Sequence, residues 1–451
     1  MADSVPTTTE LQPAAPAPAL GVSGRVAILF RAMRHRNFQL FFSGQVISLV
    51  GTWMQNVAEA WLIYRKTGSP ALLGVLGFVS QIPIFLLSPV GGLVADRWPR
   101  RNVVIATQIC SMVLAFILAA LTLTDRIQIW EIIVLAALLG TVNAFDVPGR
   151  QSFLIEMVGR EDLLNAIALN SSMFNGARLV GPAIAGFLVA TVGEGWCFFL
   201  NGVSYLAVIA GLLMMRLQNV TQVHDGAAPL EKLRQGFRFA RQTRPIRALL
   251  LLIAVVSFMA LPYSVLMPIF AGKILGRGAA GLGWLMGMVG LGAMCGALGV
   301  AMRQQLRGLG NVAGYCAMGL GFSLILFSAS RWYWLSLLLL IPCGFTMMMH
   351  FTSINTLIQA MVPDQLRGRV MSLYSMMFLG MAPLGSLLAG YVADYIGAPR
   401  TVAIGGLASL GAGFIFIRRW PAMRVSAREL VAAQGMMPQA APPPEPSAPP
   451  S

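Results

Sequence analysis

One strongly apolar stretch carries polar side chains at steps of three and four residues. Gln45, Ser48, Thr52, Gln55, Asn56 and Glu59 wind onto an arc of about 100° on a helix. Together they offer hydrogen-bond donors and acceptors and one ionisable acid. A second group, Ser171, Asn175 and Arg178, falls within an arc of about 60° and adds a permanent cation. In water such stripes are ordinary solvated faces. In hydrocarbon they must face other helices or a water-filled cavity, and a lone arginine must be paired or wetted. Interhelical hydrogen bonding is the alternative for the first stripe; Ser171, Asn175, Arg178 and His350 are further cavity-lining candidates, and for Arg178 a structural salt bridge stands beside a role in substrate binding or gating. Six polar residues on one arc favour a cavity wall.

The elements that must position these groups are membrane helices. Hydrophobic residues make up 57% of the 451 residues and charged residues only 11%. A soluble domain carries about 25% charged residues, so a soluble enzyme, a disordered chain and a disulfide scaffold are all excluded. Twelve apolar runs reach the length a bilayer-crossing helix needs: about 38–64, 71–95, 103–123, 129–147, 164–191, 196–215, 248–270, 281–301, 312–330, 332–351, 370–394 and 401–417. The spacing predicts an all-α membrane protein with twelve transmembrane helices in two six-helix halves. Residues 37–216 form the first half and 248–418 the second. The linker 217–247 contains LEKLRQGFRFARQTRPIR, a basic amphipathic helix suited to lipid headgroups, with partner docking as the alternative. The Ala/Pro/Thr-rich start of segment 1–36 and the Pro-rich end of segment 419–451 lack anything to bury and are expected to be disordered cytoplasmic tails. Nothing at the start resembles a signal peptide.

Charge placement sets the orientation. Of the 32 basic residues, only Arg65, Lys66, Arg126, Lys273, Arg277, Arg331 and Arg400 fall on the side opposite the termini, and Arg178 lies within a span. The positive-inside rule then puts both termini in the cytoplasm. The net charge of +15 serves topology and anionic lipid, so no nucleic acid partner is expected. Cys110, Cys197, Cys295, Cys316 and Cys343 are scattered without metal-ligand spacing and read as small core residues, so no metal is expected.

The chain repeats itself at an offset of 204 residues. Gly140, Gly176, Gly181, Gly186 and Gly193 fall on Gly344, Gly380, Gly385, Gly390 and Gly397 without a gap. Spans 4 and 5 are therefore copies of spans 10 and 11, and the halves arose by duplication. Parallel repeats of this kind place a binding site between the halves near the midplane. Asp146 and His350 occupy matching positions in the repeat, near the inner ends of spans 4 and 10. His350 can titrate near neutral pH, although a His at a helix end is often just solvated. Met347, Met348 and Met349 supply adaptable apolar surface or plain core filling.

The loop after span 2 reads Gly92-Leu-Val-Ala-Asp96-Arg97-Trp-Pro-Arg100-Arg101. It resembles the signature loop of the major facilitator superfamily, with Pro99 in place of a usual glycine. Gly92 would let two helices touch. A carboxylate at Asp96 can hydrogen-bond the free N–H groups at a neighbouring helix start. The resemblance implies that this neighbour is span 11, that the contact latches the cytoplasmic gate, and that Asp146 pairs with Arg100 or Arg101. The second-half counterpart, Gly299-Val-Ala-Met-Arg303, lacks the acid. Gly181, Pro182 and Gly186 resemble the span-5 packing motif of the superfamily's antiporters, with Ala185 replacing one glycine. GTWMQNVAEAWLIYRKTGSP, NAFDVPGRQSFL, GREDLLNAIALNSS, GWCFFLNGVSYLAVI and VPDQLRGRVMSLY resemble the enterobactin-exporter-like secretion and drug-efflux branch. The likeness covers about residues 30–420.

Catalytic signatures are missing. There is no HExxH and no Gly-x-Ser-x-Gly, and Lys66 lacks phosphate-cradling glycines, so neither an enzyme nor nucleotide drive is expected. No cofactor is expected. The resemblance implies a secondary transporter that exchanges protons for a small amphipathic molecule of the siderophore or drug class, in the inner membrane, by alternating access. An uptake symporter of the same fold and a non-transporting membrane scaffold or sensor stand as alternatives. Glu59 is the proton-carrying candidate because it alone continues a polar stripe within a span, and Asp146 is the next.

Overall fold

The computed structural model describes residues 30–216, 229–302, 306 and 308–434, with the side chains of 229–234 and of 301 excepted. The two tail segments 1–29 and 435–451, linker residues 217–228 and Arg303 lie outside the described residues. Thirteen helices follow one another: α1 Arg36–Thr67, α2 Pro70–Arg97, α3 Arg100–Leu123, α4 Ile129–Val158, α5 Leu163–Thr191, α6 Glu194–Leu213, α7 Pro229–Gln242, α8 Arg244–Ile274, α9 Gly278–Ala301, α10 Leu309–Ala329, α11 Tyr333–Met361, α12 Asp364–Ile396 and α13 Ala398–Ala433. Eleven of them are long and apolar enough to cross a membrane. The twelfth crossing is α1, whose 32 residues suffice in length but whose polar stripe lowers its hydropathy. Among the described residues the amphipathic α7 and a short 3-10 helix, Arg31–Arg34, stand apart from these twelve.

Three helices run well past the apolar runs that predict them. α4 continues to Val158 through Pro148, α11 to Met361, and α13 to Ala433 through Pro421. Proline is tolerated there because neighbouring helices re-satisfy the freed backbone groups. α8 is interrupted instead. Around Pro262 and Pro268 its ladder passes through π and 3-10 turns, Val256–Ala260, Leu261–Ser264 and Phe270–Ile274. Two ladder donors are missing at these prolines, and the broken stretch lies beside the central cavity.

The duplication is visible in the backbone. Gly193 and Gly397, one repeat apart, turn the chain into α6 and α13 with φ of 90° and 87°. A side chain would strain both turns. Within the first half α2 packs on α4 and α1 on α5 and α6; within the second, α9 packs on α11 and α10 on α13. Matched glycines make matched contacts: a Cβ on Gly140 would meet Ser80 of α2, and one on Gly344 would meet Val289 of α9. Gly181 admits α1 at Val50 and Trp53, and Gly385 admits α8 at Phe258. Helices pack this closely in lipid through small residues and van der Waals contact.

α7 lies against the start of α12. A Cβ on Gly236 would meet the Arg369 backbone, and Arg369 donates to Gln235. Ala240 is buried at this contact while Phe237 is exposed. Among the five cysteines, Cys110 and Cys295 are exposed on the bundle rather than in its core, and Cys197, Cys316 and Cys343 are buried.

Candidate functional site

The halves meet in the outer parts of their helices. A Cβ on Gly186 of α5 would lie 2.9 Å from Gly283 Cα of α9, and one on Gly390 of α12 would lie 2.6 Å from Gly74 Cα of α2. The two contacts are related by the repeat. Pro182 extends the first, its carbonyl facing Gly283. Tyr64 of α1 packs over Gly272 of α8. Toward the terminus side the halves part: Gly92, Gly176 and Gly368 each face open space. The glycine contacts between the halves therefore lie at the helix ends away from the described chain ends, and none is made by these three glycines toward them.

Above this opening is a cavity of about 510 Å³ lined by both halves. From the first stripe it takes Thr52, Asn56 and Glu59, together with Trp53; from α5 it takes Phe174, Arg178 and Pro182; from α8 it takes Tyr263. Gln45, Ser48 and Gln55 do not line it. They sit at the edge of the arc that faces within the first half: Gln45 accepts from Arg150 at 3.0 Å, and Gln55 accepts from Asn201 of α6 at 2.7 Å. Ser48 is buried. Gln55 in turn donates to Glu59 Oε1 at 2.8 Å, so an amide chain from α6 holds the only acid among the cavity's lining residues. Ser171 and Asn175 also miss the cavity: Ser171 is exposed, and Asn175 is buried and donates back to the Ser171 carbonyl at 2.9 Å.

His350 is not a cavity residue. It is fully buried in α11, with Nδ1 2.8 Å from the Ala313 carbonyl of α10. The continuation of α11 to Met361 puts it inside the second half, not at a solvated helix end.

Asp146 does not pair with Arg100 or Arg101. Its Oδ2 lies 2.8 Å from Arg150 Nε, one turn on in the same helix, and its Oδ1 accepts from Thr107 at 2.8 Å and Gln108 at 2.9 Å. The uninterrupted α4 makes this i,i+4 pair possible. Arg100 instead pairs with Glu156 at 2.8 Å, and Arg101 donates to the Leu212 and Leu213 carbonyls at the end of α6. Arg150 is the cavity residue that sequence reasoning missed, because the apolar run ends at 147 and left it in a loop. The Asp–Arg spacing of four was the available signal.

Arg178 makes no salt bridge among the described residues. Its guanidinium lies 5.7 Å over the Trp53 ring, and Nη2 is 3.9 Å from Met347 Sδ.

Asp96 and Arg97 are exposed at the end of α2, with no polar partner among the described residues. The glycine that touches a neighbour is Gly91, whose Cβ would meet the Ala144 carbonyl of α4, and Gly92 points into the opening. If Asp96 latches the closed inner gate, Asp96→Asn leaves this conformer intact and shifts the population toward it. The expected result is slower transport with greater labelling of inner-cavity cysteines. Unchanged labelling and flux would remove the latch.

Two related six-helix halves around a shared cavity are the architecture of a secondary transporter of the major facilitator type. Residues 28–442 match the model of the transmembrane secretion effector family, and the chain belongs to that family. Its relatives are multi-pass membrane transporters of small molecules, not enzymes. The chain is 28% identical over 385 residues to the staphyloferrin A transporter of Staphylococcus aureus, covering 83% of this chain and 94% of that one. It is 26% identical over 366 residues to the multidrug efflux pump Tap of Mycolicibacterium fortuitum, covering 78% and 88%. Among solved structures, a mutant of the nucleoside transporter NupG superposes with a TM-score of 0.65 at 14% identity, over 86% of this chain and 99% of that one. A bacterial homologue of the iron transporter ferroportin does so with a TM-score of 0.62 at 16% identity, over 85% and 98%.

Proposed function

We propose that the protein is a proton-coupled exporter of small amphipathic molecules in the inner membrane, with both termini in the cytoplasm. The observation that carries this reading is Glu59, the one acid on the cavity wall among the described residues, held by Gln55 rather than by a cation. Antiport needs a group that gives up a proton when substrate binds and regains it when substrate leaves. A carboxyl inside the shared cavity, unpinned by an ion pair, can do both. Asp146 is the weaker carrier because it is already ion-paired to Arg150 and accepts hydrogen bonds from Thr107 and Gln108. The excess of arginine on the terminus side supports the cytoplasmic orientation, and the cavity then loads from inside. The relatedness to a staphyloferrin A transporter and to multidrug efflux pumps supports a siderophore- or drug-class substrate.

The test is Glu59→Gln in inside-out vesicles, following substrate-evoked proton release beside downhill substrate exchange. Loss of proton release with exchange retained is expected. Release at the wild-type level takes the coupling role away from Glu59 and passes it to Asp146.

A further inference from the structure

We propose that Arg178 and Tyr263 form the seat for a carboxylate carried by the transported molecule, so that the substrate is an amphipathic organic anion. The proposal rests on the cavity being the transport site. Arg178 is a guanidinium deep in a membrane helix with no carboxylate partner among the described residues. Its described neighbours are the Trp53 ring and the Met347 thioether, and neither is a counter-ion. Among the described residues neither Glu59, which lines the same cavity and accepts from Gln55, nor Asp146, which is ion-paired to Arg150, forms a salt bridge with Arg178. An uncompensated cation at this depth is costly, and an arriving anion removes the cost.

The geometry suits a carboxylate in particular. Trp53 covers one face of the guanidinium plane at 5.7 Å, and Met347 lies beside Nη2. Stacking occupies the face and leaves in-plane N–H groups, the fork that binds a carboxylate bidentately. Tyr263 lines the same cavity from α8 of the second half. The cavity's lining is mostly apolar in character and includes Ile84, Phe174, Met286 and Val289, which would hold the substrate's body. Arg178 and Trp53 belong to the first half, and Tyr263 and Met347 to the second. One carboxylate therefore touches both halves, and its arrival and departure bear directly on how they sit together.

The test uses three dansyl probes of closely matched body: dansylglycine (anionic), dansylglycinamide (neutral) and dansylethylenediamine (cationic). Their fluorescence is titrated against the full-length protein in nanodiscs without any gradient, so that binding is read apart from proton coupling. The expected result is that wild type binds dansylglycine roughly tenfold or more tightly than either other probe. Arg178→Gln should erase that preference, and Tyr263→Phe should reduce it severalfold. If Arg178→Gln does not fold, Tyr263→Phe and the wild-type charge preference still decide. Equal affinity for all three probes, preference for the cation, binding of none, or an anion preference that persists in folded Arg178→Gln overturns the proposal. Normal anion selectivity with no proton release in vesicles would leave this site standing and sink the coupling reading alone.

Discussion

A leucine at Gly283 is expected to stop transport by holding the outer side open. A Cβ at this position would lie 2.4 Å from the Pro182 carbonyl oxygen and 2.8 Å from Gly186 Cα. Both neighbours are backbone, so neither can turn aside. Overpacking of this kind costs about 1–3 kcal/mol even where side chains can adjust. All of that cost falls on the conformer closed outside, because the contact does not exist once α5 and α9 separate. The closed-outside population should fall by roughly ten- to a hundredfold. The measurement is labelling of Ala60→Cys, a cavity residue in the outer half, by an impermeant thiol reagent added outside, in a background without native cysteines. Faster labelling and lost flux are expected. Gly411→Leu serves as the control, since nothing lies within 4 Å of a Cβ there. Wild-type flux and labelling in Gly283→Leu would show that the outer gate is not built on this contact.

Removing the Asp146 carboxylate should produce the largest loss of stability. Asp146 is 3% exposed, with partners on α3 and one turn along α4. Asp146→Ala leaves Arg150 without its acid and Thr107 and Gln108 without their acceptor. Breaking a buried pair by removing one partner typically costs about 3–5 kcal/mol. The thermal unfolding midpoint in detergent should drop sharply, and the double variant Asp146→Ala/Arg150→Met should recover part of the loss. Equal midpoints for wild type and Asp146→Ala would mean that the network carries no stability.

The helices, their duplication and the cavity's one acid were legible in the sequence because each leaves a local, periodic trace. Apolar runs mark the spans. The offset of 204 residues marks glycines that turn out to meet backbone, such as Gly186 and Gly390 at the outer contacts. Glu59 was legible because a carboxyl in mid-span has few places to go. What stayed hidden was mainly side-chain partnership. The arc of α1 is wider than the cavity edge, so Gln45, Ser48 and Gln55 are spent within the first half, where Arg150 and Asn201 take up two of them. Hydropathy ended span 4 at residue 147, and that cut separated Asp146 from Arg150. His350 matched Asp146 in the repeat, yet the two have diverged: one anchors an ion pair, while the other packs against the Ala313 carbonyl. Register survives duplication better than chemistry does.

The outer closure joins the halves through glycine backbone, and among the described residues no ion pair crosses between them. Van der Waals contact is indifferent to dissolved salt, whereas exposed charges such as Asp96 are screened over about 8 Å at physiological ionic strength. Ionic strength should therefore act on this molecule as a one-sided lever. If Asp96 latches the inner gate, raising ionic strength weakens that latch and leaves the glycine contacts untouched, driving the population toward the form open at the termini.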